Sequence, residues 1–263
     1  MKLNEGINDQ WIFKAIFLIG GPGCLAKGTE VVTFDGSLKK VENLKENDLL
    51  MGSNSKPRKI LRLVKGIDNL YKVIQSKNNE YTVNESHVLS LKKSIRAIKS
   101  GRYKDFDEMV DISVKDYLKK SNRWKRNFYG WRTDIIFQPR EVKIDPYYLG
   151  LWLGDGNKHK PSITSMDMEV ENYLKEYAEE LDLCISITGN KKAKNINITS
   201  GRNKKENSLT SLLKYYSLIN NKHVPDDYIY NSKNVRYNLL AGLIDSDGSL
   251  DGNCFDIFQK NER

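Results

Sequence analysis

The chain has 263 residues, with 43 Lys and Arg against 34 Asp and Glu, for a formal net charge of +9. A hydrophobic fraction of 39% supplies a core for one large or two ordinary domains, which excludes a disordered chain. No run of about 20 apolar residues occurs, so no membrane span is expected. Three widely spaced cysteines (Cys24, Cys184 and Cys254) argue against a disulfide framework and for a reducing, cytoplasmic setting. The positive charge suits a polyanionic partner such as nucleic acid, although a Lys- and Asn-rich proteome gives the same balance. His87, His159 and His223 lie far apart and have no metal-ligand spacing.

In chain order, Trp11 to Ile19 is apolar and β-prone apart from Lys14, and Gly20-Gly21-Pro22-Gly23 follows at once. Gly20 fits the first glycine of a phosphate loop, and Gly21, Pro22, Gly23 and Cys24 fill its four free positions. The Gly-Lys-Ser/Thr that would hold phosphate and magnesium is then missing, so productive ATP binding is not expected. From Cys24 the pattern changes to CLAKGTEVVTFDGSLKKVENLKENDLLMG. Its short alternating stretches and turns at Asp35-Gly36 and near Asn47-Asp48 predict an all-β module beginning at the cysteine.

CLAKGTEV, KKVENLKENDLLMG and the later YTVNESHVLSL together resemble the N-terminal splicing region of an intein. The resemblance implies a horseshoe-like Hint domain in which Cys24 attacks the carbonyl of Gly23 and turns the amide into a thioester. A free thiol titrates near about 8.5, so such a nucleophile needs help from a base or a strained bond. Gly23 lacks the Cβ that would crowd the attack. His87 would protonate the departing nitrogen or polarise the carbonyl. The family places Thr three residues before this His; here Asn84 stands there, able to bond the scissile carbonyl or the His. Splicing of this kind needs no cofactor. On this reading host sequence stops at Gly23 and an insertion starts at Cys24.

YYLGLWLGDG (147–156) and LLAGLIDSDG (239–248) form a repeat at long separation. Each predicts an apolar helix with small residues where a second backbone can come close: Gly150 and Gly154 in one, Ala241 and Gly242 in the other. Each is expected to end on a glycine in the left-handed C-cap conformation. An aspartate in the last turn lies against the negative end of the helix dipole, which calls for a cation. Mg2+ held by Asp155 and Asp247 would meet that need. The pair resembles the dyad helices of LAGLIDADG homing endonucleases, the second copy nearly letter for letter. That implies an α+β domain with an αββαββα half-saddle lying along double-stranded DNA, the target being the uninterrupted host gene.

Between the copies, SITS (162–165) reads as a strand, Met168 to Leu181 as a helix, CISITG and NINITS as a hairpin, and Ser208 to Ile219 as a second amphipathic helix. Lys191, Lys192 and Lys194 at the hairpin, with Arg202, Lys204 and Lys205 in the next loop, are candidate phosphate contacts. KHVP resembles the family's K-x-I-P block, so Lys222 would stabilise the phosphate or order the attacking water. RWKRNFYGWR (123–132) mixes cations with aromatics and reads as a DNA contact or as a joining segment.

The expected organisation is a host (extein) segment at 1–23, the N-terminal part of the Hint domain with a linker at 24–140, and an endonuclease domain at 141–263. The resemblance implies further chain after Arg263, with a second half-saddle and a terminal Asn. If Ser-Gly-Lys-Ser/Thr followed that Asn, excision would rebuild a phosphate loop in a P-loop host. A free-standing endonuclease or DNA-binding module without splicing is the alternative, and replacing Cys24 separates the two.

Overall fold

The computed structural model describes residues 2–3, 24–75, 80–190, 193–201, 206–252 and 254–257. The predicted strand at Trp11 to Ile19 and the partial phosphate loop Gly20, Gly21, Pro22 and Gly23 lie outside them. The chain divides into two compact units, Met1–Phe137 and Gln138–Arg263.

In the first unit, β1 (Lys2–Leu3) runs parallel to β6 (Leu70–Gln75). Two small hairpins then follow Cys24: β2 (Glu30–Val32) with β3 (Leu38–Lys40), and β4 (Leu49–Met51) with β5 (Pro57–Lys59). The first hairpin turns at Gly36, whose φ of 84° is the left-handed conformation glycine tolerates best. Asn47 takes a φ of 71° just before β4, so both turns read from the sequence are present. β6 pairs antiparallel with β7 (Glu80–Asn84), while β8 (Val88–Lys93) sits between β9 (Met109–Ser113) and β10 (Phe128–Tyr129).

The all-β expectation for this region is corrected by three short helices: α1 (Ile95–Lys99), α2 (Val114–Lys119) and α3 (Asn122–Lys125). Each begins at a serine whose side chain accepts the amide N–H three residues on, Ser94 from Ala97, Ser113 from Asp116 and Ser121 from Trp124. That bond satisfies an amide left over at a helix start and is worth about 1 kcal/mol. Two of the four aromatics of RWKRNFYGWR, Trp124 and Phe128, belong to the core. Trp124 and Phe128 stack at 4.0 Å inside the core, beside Tyr117, Val83 and Leu91. Lys120 lies over the Phe106 and Trp124 rings, and Lys125 over Tyr117. These rings are core, and their flanking cations cover it.

The second unit has a three-stranded sheet in the order β11 (Ser162–Ser165), β13 (Ala193–Thr199), β12 (Cys184–Asn190). Helices α5 (Met168–Glu180) and α6 (Ser208–Tyr215) supply Leu174, Ala178, Leu209 and Leu213 to the core that Ile163, Ile196 and Ile198 enter from the sheet. The short α7 (Asp226–Ile229) precedes α8 (Lys233–Asp247), and a further hairpin pairs β14 (Gly248–Asp251) with β15 (Cys254–Ile257). The αββαββα order is met differently at one place. Between the first long helix and α5 there is one strand, and its expected partner is reduced to a single bridge from Gly156 to Ile163. The few residues from Gly156 to Pro161 are spent on the turn, and proline has no N–H to extend a ladder.

The two motif helices, α4 (Pro146–Asp155) and α8 (Lys233–Asp247), cross through small residues. A methyl group on Gly150 would come within 2.8 Å of the Leu243 nitrogen and 2.9 Å of the Gly242 Cα. One on Gly242 would meet the Leu151 nitrogen at 2.8 Å. Gly242 is thus at the crossing as expected, while Gly154 faces Ser246 and not the other expected residue, Ala241. Four tyrosine hydroxyls fix the entry to α4. Tyr216 accepts from the Lys143 amide and Tyr228 from Ile144 at 3.1 Å each, and Tyr177 accepts from Asp145 at 3.2 Å. Tyr173 donates to the Asp145 carboxylate at 2.6 Å, and that same oxygen caps α4 through the Tyr147 and Tyr148 amides.

Replacing Gly150 by Ala gains about 1 kcal/mol of helix propensity but forces a methyl into backbone that side-chain motion cannot relieve. Overpacking costs about 1–3 kcal/mol, so the net effect is expected to be destabilising. Amide exchange across 146–155 and 233–247 should accelerate, while exchange in the first unit stays unchanged.

Candidate functional sites

Cys24 opens a short extended segment laid antiparallel against β7. The Ala26 amide donates to the Thr82 carbonyl at 2.9 Å, and the Asn84 amide donates to the Cys24 carbonyl at 3.1 Å. The Cys24 amide donates to Oδ1 of the Asn84 side chain at 2.9 Å. Asn84 therefore grips this residue from both sides of its backbone. The expected partners were the scissile carbonyl or the His; the Gly23 carbonyl lies outside the described residues, and the side-chain oxygen of Asn84 holds the Cys24 nitrogen. In turn the Asn84 Nδ2 donates to Asp68 Oδ2 at 3.0 Å and Ser86 Oγ at 2.8 Å.

His87 is joined to the same node through its backbone, donating to the Asn84 carbonyl at 3.2 Å. Its own carbonyl accepts from the Val114 amide, which starts α2, and the residue is 8% exposed. Cys24 is half-buried and its thiol is free. Asn84, His87 and Cys24 are all expected from the sequence. Asp68 and Ser86 are not: Asp68 lies in an irregular segment, where no periodicity points to it.

The second cluster sits where α4 and α8 end. Asp155 and Asp247 are the last residues of the two helices, and Lys222 comes from the loop before α7. Lys222 Nζ donates to the carbonyls of Leu153 at 3.2 Å and Gly154 at 3.0 Å, closing the C-terminus of α4 as a cation should. It also lies 5.2 Å from the centre of the Trp152 ring. The Asp155 carboxyl is pushed up, first by the crowding that strips its water and then by the charge of Asp247, while Lys222 pulls it back. Lys222 is pushed down by burial, with Asp247 and Asp155 opposing. The three expected residues thus feel one another's charge. Beside them, the Tyr147 hydroxyl of α4 donates to Asp245 of α8 at 2.8 Å, a tie the sequence motif did not reveal.

The glycines after these aspartates were expected to be left-handed caps. They are extended instead, with φ of −75° at Gly156 and −84° at Gly248. Space is the reason for glycine here. A methyl on Gly156 would lie 2.6 Å from the Trp152 ring, and one on Gly248 2.8 Å from the Ile244 Cα.

Of the candidate phosphate contacts, Lys191, Lys192, Arg202, Lys204 and Lys205 lie outside the described residues. Lys194 is engaged inside the unit, 2.5 Å from Glu171 Oε2. Hydrogen bonds from Lys175 and Lys194 hold the Glu171 carboxyl below its ordinary range. No group of three or more His, Cys, Asp or Glu poised for a metal occurs among the described residues. The helix ends bring together two hard carboxylates, one of them raised by burial and then by the charge of the other, an arrangement that a divalent cation would relieve. No helix among the described residues is long and apolar enough to cross a membrane.

Asp155 makes a contribution to the pH response that is opposite in sign to that of Glu171, whose carboxyl is held low. An upward shift means that the folded chain keeps its proton to higher pH than the unfolded one. Its contribution to stability therefore falls as pH rises from the ordinary aspartate range to the raised value, and that penalty is complete above it. Asp155→Asn should raise the melting temperature at pH 7 and make little difference near pH 3, as read by thermal unfolding at both.

Residues 24–129 match the family model described as Hom_end-associated Hint. The chain is 30% identical over 111 residues to the replicative DNA helicase DnaB of Mycobacterium intracellulare, covering 42% of this chain and 15% of that protein. It is 35% identical over 80 residues to the catalytic subunit of the V-type proton ATPase of Candida tropicalis, covering 27% and 7% respectively. To the homothallic switching endonuclease of Saccharomyces cerevisiae it is 30% identical over 182 residues, covering 56% of this chain and 30% of the relative. The chain thus spans well under half the length of each of these relatives.

Proposed function

We propose that this chain is part of an intein, a self-splicing element that carries a LAGLIDADG-type homing endonuclease. The observation that carries the reading is the hold on the Cys24 amide. The nitrogen that must leave is bound to Asn84, inside the segment that matches the Hint model. The short stretches shared with a helicase and with a proton-pumping ATPase are what an element lodged within unrelated hosts would produce. The partial phosphate loop before Cys24 supports a host of the P-loop class.

The first step is an isomerisation. The Cys24 sulfur bonds to the carbonyl carbon of Gly23, the carbon–nitrogen bond breaks, and the thiol proton ends on the nitrogen, which becomes the free α-amino group of Cys24. Asn84 Oδ1 accepts from that N–H throughout. The bond strengthens as the nitrogen gains positive character, so it favours the transition state over the ground state. His87 delivers the proton to the nitrogen. Transfer to a downstream nucleophile and asparagine cyclisation would complete splicing.

In the second unit, Asp155 and Asp247 would hold Mg2+, which when bound supplies Lewis-acid stabilisation of charge on a phosphodiester. Lys222, with two of its three N–H donors committed to α4, orders the water or phosphate with the third. The partner is double-stranded DNA, the uninterrupted host gene. The net charge of +9 and the similarity to a named endonuclease favour this.

The test is thiolysis of the full chain. Excess dithiothreitol or hydroxylamine should release residues 1–23, detected by mass, and Cys24→Ala should abolish the release. Release that persists in Cys24→Ala would refute thioester formation there. No release from the wild type would leave the endonuclease as the function of the chain.

A further inference from the structure

We propose that Asp68 is a positioning residue for the reaction at Cys24, acting by fixing which end of the Asn84 carboxamide faces the scissile nitrogen. The inference rests on the thioester reading above and adds to it a residue that no motif marks.

A carboxamide has a donor end and an acceptor end of nearly the same shape. In Asn84 the oxygen accepts from the Cys24 amide at 2.9 Å, while Nδ2 donates to Asp68 and to Ser86. Turning the group by half a revolution would set Nδ2 against the Cys24 N–H, donor facing donor. It would also set Oδ1 against a carboxylate, acceptor facing acceptor. The Ser86 hydroxyl can donate or accept, so it chooses neither orientation. The Asp68 carboxylate only accepts, so it chooses. Asn84 is 7% exposed, which limits how far water can make good a wrong orientation.

The fold delivers Asp68 to this point. Leu70 pairs with Asn84 across β6 and β7, and Asp68 lies two residues before Leu70. Its other oxygen, Oδ1, accepts from the Asn69 amide at 2.7 Å, which steadies the carboxylate. The orientation matters for the chemistry because the Cys24 nitrogen gains a proton as it leaves. An oxygen facing it becomes a charge-assisted acceptor, whereas an NH2 group facing it opposes the same protonation.

The experiment is a double-mutant cycle on thiolysis of the full chain, with Asp68→Ala made in the wild type and in Asn84→Thr. A threonine hydroxyl has one oxygen and no ends to exchange. Asp68→Ala should slow release of residues 1–23 about tenfold in the wild type and by less than about twofold in the Asn84→Thr background. An equal loss in both backgrounds would assign Asp68 to structure alone and overturn the proposal. An unchanged rate in both would do the same while leaving thioester formation intact, and a wild type that releases nothing would remove the underlying reading. Should Asn84→Thr itself be inactive, the Cys24 amide proton resonance serves. It should move upfield in Asp68→Ala as its hydrogen bond is lost, and an unmoved resonance overturns the proposal.

Discussion

In the second unit, backbone meets backbone where Gly150 of α4 packs on Gly242 of α8, and the placement of the acidic residues follows from that contact. Both helices run on to an aspartate within two turns of the crossing. The spacing that lets them touch therefore also sets Asp155 and Asp247 in one another's field. Two carboxylates at the negative ends of two helix dipoles are an unfavourable arrangement for stability. Lys222 offsets part of it by capping α4, at the expense of its own hydration. What remains is a site whose cost to the fold makes sense if it holds a cation.

The first unit solves a different problem with few parts. One residue, Asn84, sits at the end of β7: its side-chain oxygen accepts from the Cys24 amide, its backbone amide donates to the Cys24 carbonyl, and its backbone carbonyl accepts from the His87 amide. The strand ladder sets the distance and the carboxamide sets the chemistry. Neither needs a large pocket. Cys24 and His87 are thus both tied to Asn84, the first along the edge of β7 and the second through the turn that follows it.

Much of this was legible in the residues because glycine and apolar periodicity leave strong marks. The two motif helices, the Cys184–Thr199 hairpin region and the turn at Gly36 all follow from local pattern. The three serine-capped helices were missed because each is shorter than two turns, too short for periodicity, although the serine three residues ahead of its bonded amide was a readable sign. The extended Gly156 and Gly248 look in sequence like left-handed caps, since tight packing and positive φ both select glycine. Asp68 had no local signature at all. Its role comes from strand register, which brings together residues sixteen apart.

The most direct measurement is a carbon-13 NMR titration of the Asp155 carboxyl in the wild type and in Asp247→Asn. If the helix crossing places the two acids in one site, neutralising Asp247 should bring the raised Asp155 titration down toward the ordinary aspartate range. An Asp155 titration that is not raised, or that does not move when Asp247 loses its charge, would mean that the two carboxylates do not share a site.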